Sequence, residues 1–254
     1  MSTGKINTAT NNGICTITFS HPQSNSLPGT LLRELAAAIE TAGKDDAAKV
    51  IVLKSEGDKA FCAGASFDEL ISINDLETGT YFFSGFAAVI NAIRKAPKFV
   101  IARVQGKAVG GGVGLASAAD YTIAHNNASI KLSELAVGIG PFVVGPAVER
   151  KMGTSAFTQL SIDATAWKDA SWAREKGLYT DTYETFEELD QAVDKLATTL
   201  AASNPEAMML LKKAFWVGTE HWDVLLAERA GMSGRLVLSD FTRNAIEGFK
   251  KGAR

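Results

Sequence analysis

The sequence predicts a mixed α/β fold followed by a helical C-terminal region. Up to about residue 145, short apolar runs typical of strands alternate with stretches of helical periodicity, and strand signals nearly vanish after that point. Such alternation predicts parallel strands joined by crossover helices. The later segments 186–202 and 205–218 both show the amphipathic spacing of helices. We therefore expect parallel β-sheets with a C-terminal helical region.

Local patterns predict the individual elements. The alternating run ICTITF at 14–19 predicts a strand, and apolar residues at helical spacing follow over 26–42. KVIVLKS at 49–55 predicts a buried strand, and a helix is expected at about 80–95, where it ends before a proline. KFVIARVQG at 98–106 predicts a further strand. A run of glycines begins shortly after it.

The composition limits the classes of function. Of 254 residues, 46% are hydrophobic and 21% charged, with a net charge of -2, which is typical of a soluble globular protein and offers no bulk charge for nucleic acid. The N-terminus has no signal-peptide pattern, and no apolar stretch is long enough to cross a membrane. We expect a cytoplasmic protein without a membrane or nucleic-acid partner.

Cysteine and histidine spacing argues against a metal site. Cys15 and Cys62 form no CxxC pair and are interpreted as buried thiols in a reducing compartment. His21, His125 and His221 have no metal-ligand spacing with each other or with the cysteines. We expect neither a metal nor a nucleophilic triad.

Two glycine turns follow strands and lead into predicted helices: KAFCAGASFDEL at 59–70 and KAVGGGVGLASAAD at 107–120. The first N–H groups of a helix have no internal partners and lie at the positive end of its dipole. Two such turns aimed at one point would form an oxyanion hole. Alternatively, the glycines only permit tight turns and close helix packing. The dinucleotide-binding motif G-x-G-x-x-G is incomplete here, because Ser117 occupies the position of its third glycine.

Four sequence blocks carry a resemblance to a known family. In order and spacing they resemble the crotonase, or enoyl-CoA hydratase/isomerase, superfamily: HPQSNSL (21–27), KAFCAGAS (59–66), VQGKAVGGGVGLASAAD (104–120) and IKLSELAVGIGP (130–141). The resemblance implies a crotonase-like spiral of ββα units with C-terminal helices, assembled as a homotrimer or a dimer of trimers. It also implies acyl-CoA thioester substrates, in which coenzyme A is part of the substrate and no separate cofactor is needed.

The resemblance also implies a division of the chain and roles for particular residues. Residues 1–195 would form the spiral core with the CoA site and active site, and 196–254 the helical trimerisation region. The amides of Ala65 and Gly111 would bind the thioester oxygen as it becomes an enolate, and Glu134 would move a proton beside it. Four residues are assigned to CoA: the backbone of Ser26, Leu27 and Ala63 to its adenine end, and Lys59 to its phosphates.

Three departures from the hydratases of this superfamily favour one reaction. Gly114 stands where those hydratases carry the first of two glutamates, and Phe142 fills a place that is glycine-rich in them. Ser66 replaces an aspartate common in relatives and is given no catalytic role. The segment ELAVGIGPF resembles Δ3,Δ2-enoyl-CoA isomerases of the mitochondrial type, which use a single glutamate.

These departures predict double-bond isomerisation with Glu134 as the only acid/base and with Phe142 in the acyl pocket. Hydration of 2-enoyl-CoA is one alternative. A protein that binds acyl-CoA with little catalysis is another. Asp120, which ends the predicted helix of the glycine block, is interpreted as structural rather than as a second acid.

Overall fold

The structure is a computed structural model that describes residues 4–252, with side chains up to residue 248. The strands are β1 (Lys5–Asn11), β2 (Ile14–Ser20), β3 (Val50–Ser55), β4 (Ala60–Cys62), β5 (Val100–Val104), β6 (Lys107–Val109), β7 (Tyr121–His125), β8 (Ser129–Lys131), β9 (Lys168–Asp169) and β10 (Asp181–Tyr183). The helices are α1 (Gly29–Lys44), α2 (Phe67–Ser72), α3 (Leu76–Lys95), α4 (Gly111–Ala118), α5 (Gly145–Ile162), α6 (Ala170–Glu175), α7 (Phe186–Ala201), α8 (Pro205–Phe215), α9 (Trp222–Leu236) and α10 (Asp240–Gly252).

The strands of the described chain form two sheets. The larger has the order β1-β2-β3-β5-β7-β10 and is parallel except for the antiparallel β1–β2 pair. The smaller has the order β4-β6-β8-β9 and is parallel except for β8–β9. Successive pairs β3–β4, β5–β6 and β7–β8 each give one strand to each sheet, and helices follow the first two pairs directly. The predicted α/β fold class with its helical C-terminal region is confirmed.

Both faces of the large sheet are buried, which explains the continuous apolar runs in its central strands. Ile51 and Leu53 of β3 face the main core with α1 and α3, whereas Val50 and Val52 face a second cluster under α7. A parallel strand covered on both sides has no solvent face, so most of its residues are apolar. The sheet is thus a rigid support for the loops at its edges.

β1 is the clearest element that the sequence did not predict. Its residues, KINTATN, are mostly exposed and lack the apolar alternation of a half-buried strand. Backbone pairing with β2 along its whole length holds it in the extended state. Pairing with β2, rather than the local sequence pattern, therefore makes this segment a strand.

The predicted division of the chain stays a prediction. Residue 195 lies within α7, which covers the large sheet, and α8 begins only at Pro205. Both cysteines are buried free thiols, as predicted. In the described part of the chain, no helix combines the length and apolar character needed to cross a bilayer.

Asp120 holds the end of the glycine-block helix to the C-terminal helices. Its Oδ2 accepts hydrogen bonds from Lys212 Nζ at 2.8 Å and from the Val100 N–H at 2.7 Å. Its Oδ1 accepts one from Trp216 Nε1 at 3.0 Å. Lys212 is 2% exposed, so its charge depends on this carboxylate. These contacts give Asp120 a structural role.

We expect Asp120→Asn to lower the free energy of unfolding by about 1.5–3 kcal/mol, because the buried Lys212 ammonium loses its charged acceptor. Urea denaturation measures the change. Asp163→Asn is the matched control: it removes an exposed ion pair with Lys168 and should cost less than about 1 kcal/mol. Equal effects of the two substitutions would contradict the role of burial.

Candidate active site

The two glycine turns meet at one edge of the small sheet. β4 and β6 are parallel neighbours, so the turns that follow them emerge side by side. A Cβ atom built on Gly64 would lie 3.5 Å from the Gly111 nitrogen. A bridge between Leu27 and Ala65 holds the first turn in place, with the Leu27 N–H donating to the Gly64 carbonyl at 2.8 Å.

The N–H groups of Ala65 and Gly111 have no acceptor in the part of the chain that the structure describes. Gly111 is the first residue of α4, where the helix dipole is positive. Both residues line one small cavity, so their donors are available to a ligand there.

The glycine run is explained by neighbours that leave no room for a side chain. Gly110 has φ +53°, and a Cβ there would lie 2.9 Å from Glu134 Oε1. At Gly111, a Cβ would overlap the ring of Phe86. The backbone is therefore bare because an acid lies against one glycine and a buried ring against the next.

Glu134 lies between β8 and a 3-10 turn at Leu135–Val137. Glu134 retains some solvent exposure as a residue, but its Oε2 atom is buried and has no hydrogen-bond partner in the described structure. Desolvation by burial raises the pKa of this carboxyl from 4.5 to about 7. A carboxyl group with this pKa can both accept and donate a proton near neutral pH.

The cavity brings together five of the residues assigned from the sequence. Its volume is about 60 Å³. Ala63, Ala65, Gly111, Glu134 and Phe142 all line it, and Glu134 is the only titratable group among its described lining residues. Apolar side chains form most of the remaining wall: Phe67, Leu70, Phe83, Phe86, Val137, Ile139, Val143 and Val144.

Gly114 has no space for a second acid. A Cβ at this position would lie 2.5 Å from Val144 Cγ1 and 2.7 Å from Val144 Cβ. Val144 precedes α5 and is itself buried against the core. An apolar side chain thus occupies the space next to Gly114.

Ser66 has a local structural role. It is the N-cap of α2, and its hydroxyl accepts a hydrogen bond from the Glu69 N–H at 3.4 Å. Its side chain is 4% exposed and does not line the cavity. The structure offers no catalytic contact for it.

The residues assigned to CoA lie within the first glycine turn (Lys59 and Ala63) or beside it (Ser26 and Leu27). The N–H groups of Ser26, Leu27 and Ala63 donate to the carbonyls of Gln23, Gly64 and Ser24, so contacts from their backbone to a ligand would use carbonyl oxygens. Lys59 is exposed at the start of β4 and does not line the cavity.

The sequence did not identify most of the cavity wall, and Val144 and Ser233 are two examples. Val144 lies in the segment 138–145, in which only Phe142 was assigned to the site, and Ser233 of α9 lies in the helical tail, far away in sequence. No motif marks either residue. Only the structure shows that Val144 lies against Gly114 and that Ser233 lines the cavity. Across the described ranges, no group of three or more His, Cys, Asp or Glu side chains could hold a metal ion.

Two N–H donors beside an isolated, desolvated carboxyl group could stabilise a developing oxyanion and move a proton next to it. The sequence profile described as enoyl-CoA hydratase/isomerase matches residues 9–246. The chain therefore belongs to the enoyl-CoA hydratase/isomerase family, within the crotonase superfamily.

Among the individual relatives, some are named hydratases and one is named an isomerase. The mitochondrial methylglutaconyl-CoA hydratase of Homo sapiens is 34% identical over 200 residues, covering 77% of this chain and 58% of that protein, so the match spans less than two thirds of the relative. A trans-2-decenoyl-acyl-carrier-protein isomerase of Streptococcus mutans is 26% identical over 81% of this chain and 79% of its own length. The crystal structure of an enoyl-CoA hydratase from Bacillus halodurans has a TM-score of 0.88 at 21% identity over 96% of this chain and 99% of that one, which shows the shared fold.

Proposed function

We propose that this enzyme shifts the double bond of an enoyl-CoA thioester, with Glu134 as its only acid/base. One observation carries the proposal: Glu134 is the only titratable side chain among the described residues that line the cavity. Moving a double bond needs one group that takes a proton and returns it. Adding water also needs room for a water molecule beside the group that activates it.

In the proposed reaction, the N–H groups of Ala65 and Gly111 bind the thioester oxygen of a 3-enoyl-CoA. Glu134 takes a proton from C2, and the electrons move onto that oxygen to form a dienolate. The two N–H donors stabilise this charge, an effect of about 3–4 kcal/mol for one such donor in other enzymes. Glu134 then returns the proton to C4 on the same face, and the product is 2-enoyl-CoA.

The surroundings of Glu134 support a reaction without added water. Val144 fills the space next to Gly114, the position at which the resemblance places the first of the two glutamates of the hydratases. Phe142 adds a ring to the wall at the place where those hydratases are glycine-rich. Both side chains reduce the room for a water molecule held between two acids.

Hydration of 2-enoyl-CoA is the second candidate, because the human relative and the solved neighbour are both named hydratases. In that reaction Glu134 would activate the water and also protonate C2. The third candidate is a protein that binds acyl-CoA with little catalysis. All three candidates use the same two N–H donors.

The test is to assay 3-enoyl-CoA and 2-enoyl-CoA of the same chain length side by side. We expect 3-enoyl-CoA to become 2-enoyl-CoA with little 3-hydroxyacyl-CoA, measured by chromatography of the thioesters. Rapid formation of 3-hydroxyacyl-CoA from 2-enoyl-CoA would establish hydration instead. Binding of both thioesters without any product would leave only the binding protein.

The remaining parts of the proposal concern CoA and assembly. We propose that Ser26, Leu27 and Ala63 hold the adenine end of CoA through their backbone and that the exposed Lys59 lies near its phosphates. The region 196–254 would contribute to a homotrimer or a dimer of trimers in the cytoplasm. Sedimentation of the purified protein tests the assembly.

A further inference from the structure

A second cavity adjoins the first and shares part of its wall. Pro141 and Phe142 line both cavities. The second has a volume of about 290 Å³, against about 60 Å³ for the first. Phe142 therefore belongs to the wall of a small space at Glu134 and also to that of a much larger neighbouring one.

The halves of α5 before and after Gly153 form much of the second cavity. Gly153 has φ +79° and interrupts the helix, and residues from both halves line the space. Pro146 from the first half and Phe157 and Ile162 from the second give it apolar walls. Such walls suit a hydrocarbon chain.

One face of α9 connects the two cavities. Ser233 lines the first cavity and Arg229 the second. Residues four apart on a helix lie on the same face, one turn from each other. A chain that leaves the first cavity beyond Phe142 would therefore approach the Arg229 side chain.

Arg229 is a partly buried cation without a partner. Its guanidinium makes no hydrogen bond or ion pair with any described residue. The other charged lining residue, Glu149, is exposed, and its Oε1 accepts a hydrogen bond from the Thr154 hydroxyl at 2.7 Å. A cation on a largely apolar wall is best satisfied by an anionic ligand group.

We propose that the second cavity binds the distal end of the acyl group and that Arg229 binds a carboxylate carried by that end. The Phe142 ring turns aside to admit the chain. The substrate class is then an enoyl-CoA whose acyl chain ends in a carboxylate. This proposal rests on the proposed action on acyl-CoA thioesters, but not on which reaction follows.

The test compares two 3-enoyl-CoA substrates of equal chain length, one ending in a methyl group and the other in a carboxylate. Wild type should show at least about tenfold higher kcat/KM for the carboxylate form. Arg229→Gln should remove that preference and leave the methyl form within about twofold. Arg235→Gln, an exposed arginine of α9 that lines neither cavity, should keep the preference.

A second variant tests the partition. Phe142→Ala joins the two cavities, so it should raise kcat/KM for longer acyl chains relative to short ones. An unchanged chain-length profile would contradict the role given to the second cavity.

Calorimetric binding of the same two thioesters separates this inference from the proposed reaction. A binding preference that disappears in Arg229→Gln supports the carboxylate site even if neither thioester is turned over. A lack of turnover would count against isomerisation only. A wild-type preference for the methyl form, or equal losses for both thioesters in Arg229→Gln, overturns the inference. A changed oligomeric state in Arg229→Gln also overturns it, because the arginine would then serve a contact between copies.

Discussion

Glu134→Gln should lower kcat for 3-enoyl-CoA by about 10³-fold, within the 10²–10⁴-fold range typical of general acid–base catalysis. Glutamine keeps the shape of the side chain but cannot take the C2 proton. The cavity offers no other described titratable group to replace it. Conversion of 3-enoyl-CoA followed by chromatography measures the loss. Binding of the thioester, measured by calorimetry, should persist.

Glu187→Gln is the matched control, since Glu187 is an exposed acid in the first turn of α7 and lines neither described cavity. It should leave kcat within about twofold. Retention of more than a tenth of wild-type activity in Glu134→Gln would remove Glu134 from the mechanism.

The same carboxyl group should set the pH dependence of the reaction. Because its pKa is about 7, kcat/KM should fall roughly tenfold per pH unit below that value, where Glu134 is protonated and cannot act as a base. Glu134→Gln should have lost this limb of the profile. An inflection near the ordinary glutamate pKa instead would mean that the carboxyl group of the free enzyme is more solvated than the structure indicates.

Protein stability should show the opposite trend with pH. Burial raises the pKa of Glu134 in the folded state, so the folded protein binds this proton more tightly than the unfolded chain does. The resulting stabilisation is present below the unfolded value of 4.5 and is lost as pH rises through about 7. Relative to wild type, Glu134→Gln should therefore gain up to about 3 kcal/mol on going from pH 4 to pH 8, measured by urea denaturation.

Gly111→Ala should lower kcat by about 10²–10³-fold, which is the usual cost of losing one donor from an oxyanion hole. The new Cβ would overlap the Phe86 ring, which is buried and lies edge-on to Phe82 at 6.2 Å between ring centroids. Because that ring has little room to move, the start of α4 must shift, and the Gly111 N–H moves away from the thioester oxygen. Steady-state kinetics measures the loss.

Two further variants isolate the steric cause. Phe86→Leu combined with Gly111→Ala removes ring atoms that the new Cβ would overlap, and it should recover part of the lost kcat. Gly231→Ala adds a methyl group in α9 where nothing lies within 4 Å, so it should leave kcat unchanged and stabilise the helix by up to about 1 kcal/mol. Equal losses in the two alanine variants would contradict the steric explanation.

The proposed reaction needs a desolvated carboxyl group, and that group lowers the folding stability of the protein. A buried carboxyl oxygen without a partner costs folding free energy. This cost falls at the place where Glu134 is proposed to act.

The sequence alone predicted the α/β class, the central strands and the helical C-terminal region, because their periodicity reflects which faces are buried. The motif blocks also led to Ala65, Gly111 and Glu134 before any distances were known. β1 escaped prediction because backbone pairing rather than side-chain burial holds it. Its state depends on β2, which no local pattern of β1 encodes.

Only the tertiary structure decided how the site is enclosed. Val144 fills the space beside Gly114, and Phe86 lies against Gly111, although both neighbours are distant in sequence. Arg229 of α9 lines the second cavity together with residues of α5, although the two helices are distant in sequence. Local sequence determines which backbone states are accessible, whereas contacts between distant segments determine which atoms share one desolvated space. That shared space sets the pKa of Glu134 and the proposed chemistry.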